Sequence, residues 1–149
     1  MITYERKVRF EEVDAASIVF FARYLNYAHE AMEELFGGLE GGYVGTVMGR
    51  AIGFPAVHVD TTYAAPLRYG DTFTIRLDVV HLGQTSCTLR HHFERGDRVH
   101  VATVAHTVVC CALREPGGPR KLPFPPDVRR LLEEHLAPPA DRREGKVTR

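Results

Sequence analysis

The sequence predicts a single α+β domain in which five β-strands form a sheet and one long helix packs against it. Two periodicities support this prediction. Apolar and polar residues alternate over five separate segments, which is typical of strands with one buried face. In one long segment, apolar residues instead recur every three or four positions, which is typical of an amphipathic helix. A chain of 149 residues has the size of one domain.

The strands are predicted from the alternating segments and from the turns between them. In the first segment, residues 2–12, one face carries Tyr4, Arg6, Val8 and Phe10. The other strands are predicted at residues 57–63, 73–79, 87–93 and 99–113, with turns at Pro66–Asp71, Gly83 and Arg95–Asp97. The last segment is apolar on both faces, which indicates a strand that is covered on both sides.

The long helix is predicted to begin near Tyr24 and to end at Gly37 and Gly38. Its apolar stripe consists of Leu25, Ala28, Met32, Leu35, Phe36 and Leu39. A shorter helix is predicted after Pro125, because proline suits a first helical turn. Its apolar face consists of Val128, Leu131, Leu132 and Leu136.

The width of the sheet predicts an oligomer. Five strands at a spacing of about 4.8 Å span about 24 Å, whereas one helix with its side chains covers about 10–12 Å. The apolar surface that the helix leaves uncovered must meet another subunit. We therefore expect at least a dimer, with each sheet curling around its own helix.

The charge balance indicates a small-molecule partner. Lys and Arg total 19, and Asp and Glu total 19, so the chain lacks the one-signed charge of a nucleic-acid or membrane-surface binder. No segment resembles a signal peptide or the roughly 20 apolar residues of a membrane span, and we expect a cytoplasmic protein. The domain is predicted to cover residues 1–137, followed by a disordered tail at residues 138–149.

Neither the cysteines nor the histidines form a metal-binding pattern. Cys87, Cys110 and Cys111 lack the spacing of a zinc or redox motif and are interpreted as small core residues. His91 and His92 are neighbours in a predicted strand, so their side chains point to opposite faces. We predict neither a catalytic metal nor a cofactor.

The candidate for chemistry is Asp14, which lies between the first strand and the long helix. It precedes an apolar run, and a carboxylate that enters apolar surroundings has a raised pKa and a raised nucleophilicity. Backbone N–H groups at the start of a helix can stabilise a developing oxyanion. Both parts are needed for thioester hydrolysis. Aspartate is also a preferred helix N-cap, and the residues alone leave that alternative open.

The segment that contains Asp14 resembles a known family. It reads DAASIVFFARYLNYAHEAMEEL, and it is similar to the segment of the 4-hydroxybenzoyl-CoA thioesterase family that reads roughly Asp-x-x-Gly-[Ile/Val]-Val-[Tyr/Phe/Trp]-[Tyr/His]-x-Asn-Tyr. The resemblance extends through Pro66–Asp71 to Lys121–Pro123. It implies the hotdog fold, an antiparallel sheet wrapped around one long central helix, assembled as dimers and commonly as dimers of dimers.

The resemblance also implies roles for individual residues. Asp14 matches the catalytic acid, which attacks the thioester carbonyl or activates water, and the backbone N–H of Phe21 matches the group that polarises the carbonyl oxygen. At the position of His29 the hydroxybenzoyl enzymes use an acidic residue to recognise the ring hydroxyl, so a different acyl group is expected here. Contacts to the acyl group are predicted for Ser17, Phe20, Tyr24 and His29, although core packing and an exposed or interface histidine remain alternatives. Contacts to coenzyme A are predicted for Thr85, Ser86, Arg114, Arg120 and Lys121.

Two other functions remain open. The hotdog fold also carries hydratases and dehydratases that act on acyl thioesters, and fold alone does not separate them from hydrolases. The second alternative is a non-catalytic acyl-binding module in which Asp14 only caps the helix. A serine hydrolase is disfavoured, because no Gly-x-Ser-x-Gly motif is present.

Overall fold

The computed structural model describes residues 1–142, in which five antiparallel strands form the main sheet. In chain order the strands of this sheet are β1 (Ile2–Lys7), β3 (Ala56–Tyr63), β4 (Thr72–Leu82), β5 (Ser86–Arg95) and β6 (His100–Val109). Their spatial order is β1-β4-β5-β6-β3, so β1 and β3 are the two edges. A second, small sheet consists of β2 (Ile52–Gly53), β7 (Cys111–Ala112) and β8 (Arg120–Lys121). The predicted α+β architecture is confirmed.

The long helix α1 (Arg23–Phe36) packs on one face of the main sheet, and Gly37 follows it as predicted. Its buried stripe consists of Tyr24, Tyr27, Ala28, Ala31, Met32, Leu35 and Phe36. This stripe differs from the prediction at Leu25, which is 43% exposed. Tyr24 and Tyr27 take the core-facing positions at this end of the helix, which moves Leu25 to the margin of the stripe.

Two further α-helices are short, and a π-helical segment, Gly45–Gly49, directly follows the first of them. The helix α2 (Gly42–Val44) follows α1, and α3 (Pro126–Glu134) begins after Pro125. Val128, Leu131 and Leu132 of α3 are buried, as the spacing predicts. Among residues 1–142, no helix combines the length and apolarity that crossing a bilayer requires.

The first strand is shorter than predicted. β1 ends at Lys7, and a single 3-10 turn forms at Phe10–Glu12, where the side chain of Phe10 is 76% exposed. The carboxylate of Glu12 accepts a 2.7 Å hydrogen bond from the amide of Arg9, which replaces a strand partner for that amide. The predicted strand over residues 2–12 is therefore wrong beyond residue 7. The alternation of residue types does not reveal that a side chain will bind the backbone amide of Arg9.

The last predicted strand is divided into two. β6 ends at Val109, and β7 pairs with β2 in the small sheet. At Cys110 between them, the amide donates to the carbonyl of Thr85 at 2.7 Å. The chain therefore leaves the main sheet at Cys110, which an uninterrupted apolar run does not reveal.

The three cysteines are free and buried, as predicted for small core residues. Burial raises the pKa of the Cys87 thiol to about 12 and that of Cys110 to about 11. In the predicted tail, the carbonyl of Asp141 accepts a 2.7 Å hydrogen bond from the guanidinium of Arg90. The rest of the predicted tail, residues 143–149, lies outside the described residues.

Candidate active site

Asp14 lies in a tight hairpin turn between β1 and α1. A bridge between Val13 and Val19 closes the hairpin, and the Asp14 amide donates a 2.9 Å hydrogen bond to the carbonyl of Ile18. One carboxylate oxygen of Asp14 accepts a 2.8 Å hydrogen bond from the amide of Ala16, a bond that aspartate commonly forms in turns. The other carboxylate oxygen has no hydrogen-bond partner within residues 1–142 and is available to a ligand.

The alternative role of Asp14 as an N-cap is wrong. Helix α1 begins at Arg23, and its N-cap residue is Ala22, which makes no side-chain capping bond. The Asp14 carboxylate orders its own turn instead. An aspartate in front of an apolar run, which resembles a helix cap in the sequence, therefore forms a turn here. This result does not exclude a chemical role for Asp14.

Ser17 supports the Asp14 turn with an unusual backbone conformation. Its φ is 65°, in the left-handed region, and its amide donates a 2.9 Å hydrogen bond to the Asp14 carbonyl. Glycine adopts this conformation without steric cost. The geometry explains why a family with this turn would usually have glycine at the position of Ser17, and it assigns Ser17 a backbone role.

Replacing Ser17 with glycine is expected to raise the free energy of unfolding by about 0.5–1 kcal/mol, because the relief of left-handed strain outweighs the entropy that the more flexible unfolded chain gains. Chemical denaturation measures this difference. Ser86, which lies in β5, provides the control: Ser86→Gly should destabilise the protein. A destabilising effect at both positions would contradict the strain argument.

The backbone amide of Phe21 has no hydrogen-bond acceptor within residues 1–142, a property that it shares with the amide of Ala22, whereas other nearby amides have one. The Val19 amide donates to Leu67 at 2.8 Å, and the Phe20 amide donates to Glu12 at 3.0 Å. The Arg23 amide donates to Phe20 at 2.9 Å as the helix begins. The free N–H therefore lies at the start of α1, where the helix dipole adds to its positive potential.

The aromatic side chains around this amide differ in burial. Phe20 and Phe21 are 44% and 64% exposed, with ring centroids 4.7 Å apart. Tyr24 is buried in the core, where its ring lies 5.0 Å from the ring of Tyr63. The hydroxyl of Tyr63 donates a 2.7 Å hydrogen bond to the carbonyl of Phe21, which ties the edge strand β3 to the start of α1.

A buried ion pair anchors the Asp14 hairpin to β1. The guanidinium of Arg6 donates to both carboxylate oxygens of Glu12 at 2.7 Å, and it also contacts Glu30 of α1 at 3.0 Å. Glu12 is 4% exposed. Because the Glu12 carbonyl also accepts the Phe20 amide, this one residue connects β1, the hairpin and the segment that leads into α1.

The electrostatics of this pair favour the charged forms. Burial alone would raise the pKa of Glu12, but the hydrogen bonds from Arg6 and from the Arg9 amide outweigh burial, and the pKa lies below its usual value. The hydrogen bonds to Glu12 raise the pKa of Arg6. Both groups are therefore charged at neutral pH.

Asp14 itself is exposed in the single subunit. The apolar surroundings predicted from the sequence are therefore absent in one chain. The neighbouring exposed aromatics Phe20 and Phe21, and the edge strand β3 with Val57 62% and Val59 43% exposed, form the apolar surface of this region.

A cavity of about 200 Å³ lies between α1 and the end of the sheet that carries β3. Helix α1 contributes Leu25, Ala28 and His29, and the strands contribute Ala56, Val59, Val104 and His106. His29 is half exposed, and its Nε2 lies 3.4 Å from a carboxylate oxygen of Glu33. The structure thus places His29, a predicted acyl-contact residue, at an apolar cavity.

Sequence reasoning missed a stacked pair of inward-facing histidines, of which His106 lines this cavity and His91 lies behind it. His91 lies between Leu89 and Phe93 in the alternation of β5, and His106 faces inward from β6. Their rings stack with centroids 5.0 Å apart and an interplanar angle of 14°. The strand period itself was the available signal, because it places both side chains on the helix-covered face. The prediction that His91 and His92 face opposite sides is confirmed, since His91 is fully buried and His92 is half-buried.

The structure brings most of the predicted coenzyme A contacts to one region. Cys110 bonds to Thr85 through its amide and to Leu122 through its carbonyl, which places the turn with Thr85 and Ser86 beside β8. β8 carries the exposed residues Arg120 and Lys121, which lie past the last strand that the sequence predicts. Arg114 is engaged elsewhere, because its guanidinium donates to the carbonyl of Met48 at 2.8 Å. In the described part of the chain, no group of three or more His, Cys, Asp or Glu side chains is arranged to hold a metal ion.

Comparisons with known proteins agree with this architecture. The 4-hydroxybenzoyl-CoA thioesterase from Pseudomonas sp. strain CBS-3 superposes with a TM-score of 0.79 at 26% identity, covering 87% of this chain and 97% of that one. The gentisyl-coenzyme A thioesterase BH1999 superposes with a TM-score of 0.76 at 29% identity, covering 86% and 99%. The fold is therefore the hotdog fold, and this prediction is confirmed.

Sequence comparison defines the family. A 1,4-dihydroxy-2-naphthoyl-CoA hydrolase from Synechococcus sp. (strain WH7803) is 31% identical over 140 residues, which cover 88% of each chain. The model of the thioesterase-like superfamily matches residues 8–132. This chain belongs to the thioesterase-like superfamily, and the predicted class of enzyme, a thioester hydrolase, is confirmed at that level.

Proposed function

We propose that this protein is an acyl-CoA thioesterase that hydrolyses a small aromatic acyl-CoA to the free acid and coenzyme A. The observation that carries the proposal is that the segment leading into α1 holds two groups without partners within residues 1–142, a carboxylate oxygen of Asp14 and the Phe21 amide. An anionic oxygen and a preorganised N–H donor are the two groups that acyl transfer requires. The relatives named above act on hydroxylated aromatic acyl-CoA thioesters.

In the reaction, the thioester oxygen accepts the Phe21 N–H as negative charge develops on it. The carboxylate of Asp14 either attacks the carbonyl carbon, forming an acyl-aspartyl anhydride that water then hydrolyses, or removes a proton from the attacking water. Either route breaks the C–S bond and releases coenzyme A as its thiol. Both routes require Asp14 to be ionised.

The acyl group is proposed to occupy the cavity between α1 and β3. Its volume of about 200 Å³ exceeds the roughly 150 Å³ that accommodates benzene in a protein core, and it is too small for a long acyl chain together with its carrier arm. The coenzyme A arm is proposed to pass the turn at Thr85 and Ser86, with Arg120 and Lys121 near its phosphates.

The functional unit is proposed to be a homodimer, with dimers pairing into tetramers. The strand β3 is an edge whose backbone is open to pairing, and it exposes Val57, Val59 and Tyr63 next to Phe21. A partner at this edge would bury the apolar side chains and exclude water from Asp14. A cytoplasmic location is also proposed, because the three cysteines are free thiols, which a reducing compartment favours.

A lysine at Val57 is expected to dissociate the dimer and to abolish hydrolysis, because a buried charge without a partner is incompatible with a packed edge. Sedimentation velocity measures the assembly, and thiol release measures the activity. Val99 in the β5–β6 turn is the control, since Val99→Lys should preserve both. A Val57→Lys protein that remains dimeric and active would place the interface elsewhere.

The proposed function is tested by thiol release across a panel of benzoyl-, hydroxybenzoyl-, phenylacetyl-, short-chain and long-chain acyl-CoA substrates. Aromatic thioesters are expected to be hydrolysed fastest, and Asp14→Asn should be inactive on all of them. A hydratase or dehydratase would modify the acyl group without releasing thiol. A binding module would retain the thioester unchanged.

A further inference from the structure

The cavity between α1 and β3 is apolar except for its histidines. Side chains of Leu25, Ala28, Val59 and Val104 supply most of its lining. His106 also lines it and is 8% exposed. Neither ring nitrogen of His106 has a hydrogen-bond partner within residues 1–142. His29, in contrast, has a carboxylate of Glu33 beside its Nε2.

Because His106 lines the cavity and none of its nitrogens is engaged by the described chain, the imidazole is free to hydrogen-bond with a molecule that enters the cavity. A ligand that presents an apolar body and a single hydrogen-bonding substituent would fill the space and pair with this imidazole.

The His91 ring fixes the orientation of His106. The His91 Nδ1 lies 3.2 Å from the carbonyl oxygen of Val104, and because a carbonyl only accepts, Nδ1 is the protonated nitrogen. The two rings are nearly parallel, so His106 is held flat against a side chain that is itself anchored to the backbone. This packing preorganises the His106 nitrogens for a partner in the cavity.

His106 is neutral at physiological pH. Burial lowers its pKa to about 4, and burial together with the neighbouring His106 lowers the pKa of His91 to about 3. A neutral imidazole has one donor and one acceptor nitrogen. A hydroxyl group, which also donates and accepts, complements it, whereas a carboxylate or an ammonium group would be buried without a counter-charge.

We propose that His106 is a specificity-determining residue that recognises a hydroxyl group on the aromatic ring of the acyl moiety. The proposal rests on the proposed function, because it assumes that the acyl group of the thioester enters this cavity. It assigns recognition to a side chain of β6, on the sheet side of the cavity, in addition to the helix residue His29.

The test compares benzoyl-CoA with its 2-, 3- and 4-hydroxy derivatives in a thiol-release assay. The wild-type protein is expected to prefer the best hydroxylated isomer by about tenfold in kcat/KM, since an analogue without the hydroxyl leaves the imidazole unpaired. His106→Phe keeps a flat ring without nitrogen atoms. It should lose the tenfold preference, which is measured as the ratio of kcat/KM for the hydroxylated thioester to kcat/KM for benzoyl-CoA within the same variant.

His81, which is exposed on β4, gives the matched control, and His81→Phe should retain the full preference. His106→Gln, which keeps a donor and an acceptor, should retain part of it. An NMR titration of the wild-type protein covers the case in which His106→Phe does not fold: hydroxybenzoate, but not benzoate, should shift the His106 imidazole signals.

The outcomes separate the two proposals. Hydrolysis that depends on Asp14 but shows the same hydroxyl preference in wild type and His106→Phe would overturn the role of His106 and leave the thioesterase function intact. A wild-type protein without a hydroxyl preference would also overturn it. Absence of any thiol release would overturn the proposed function and this inference together.

Discussion

Asp14→Asn is expected to lower kcat for acyl-CoA hydrolysis by about a hundredfold or more, equivalent to roughly 3 kcal/mol of transition-state stabilisation. The amide cannot act as a carboxylate nucleophile or accept a proton from water. Its side-chain oxygen can still accept the Ala16 amide, which holds the turn in the present structure. The chemical group is therefore removed while the hairpin is preserved.

Steady-state thiol release measures this loss, and circular dichroism with chemical denaturation confirms that the variant is folded. Asp97, an exposed carboxylate in the β5–β6 turn, is the matched control, and Asp97→Asn should retain the wild-type rate. Incorporation of ¹⁸O into Asp14 during a single turnover in labelled water would identify the nucleophilic route, in which water attacks the Asp14 carboxyl carbon of the anhydride. An Asp14→Asn protein with the wild-type rate would refute the catalytic assignment.

Arg6→Met is expected to lower the free energy of unfolding by about 3 kcal/mol, because it leaves the buried Glu12 carboxylate without its counter-charge. The exposed pair between Arg50 and Asp127 supplies the control, since Arg50→Met removes contacts of similar length at the surface. Denaturant titration should give a much smaller loss for Arg50→Met. Equal losses in the two variants would contradict the special role of the buried pair.

The same pair predicts how stability depends on pH. The pKa of Glu12 is lower in the folded protein than its ordinary value, so its contribution to stability is present above the unfolded pKa and is lost as the pH falls through the folded pKa. Wild type should therefore lose stability steeply in acid. Glu12→Gln should start from a lower stability and lose less on acidification, which denaturant titrations between neutral and acidic pH would show.

The sequence predicted the elements whose signals are local and periodic. The strands β4 and β5 and the helix α1 each bury one face, and this produces the alternation in the strands and the spacing of three to four residues in the helix. Patterns of residue type were therefore sufficient to predict these elements. The errors in the predicted strands have causes that do not appear as a periodic pattern in the sequence. Phe10 left the predicted strand because Glu12 bonds the Arg9 amide, and that carboxylate is held in turn by Arg6 from β1.

The candidate site was predictable in part. Asp14 was found from a resemblance, and its turn geometry explains why it has the appearance of a helix cap. The exposure of Asp14 could not be predicted, because it depends on the three-dimensional position of the hairpin and not on the apolar residues that follow Asp14 in sequence. His106 was missed because a histidine in an alternating strand has the same pattern as any inward-facing residue, and the cavity beside it forms only when α1 and β3 come together.

The burial of the cysteine thiols affects how the released coenzyme A can be measured. The proposed reaction liberates a free thiol, coenzyme A, beside a protein with three reduced cysteines. At neutral pH a thiol whose pKa is about 11 or 12 is almost entirely protonated, and protonated thiols neither attack disulfides nor react readily with chromogenic reagents. Cys87 and Cys110 should therefore contribute little to a colorimetric signal that measures the released coenzyme A.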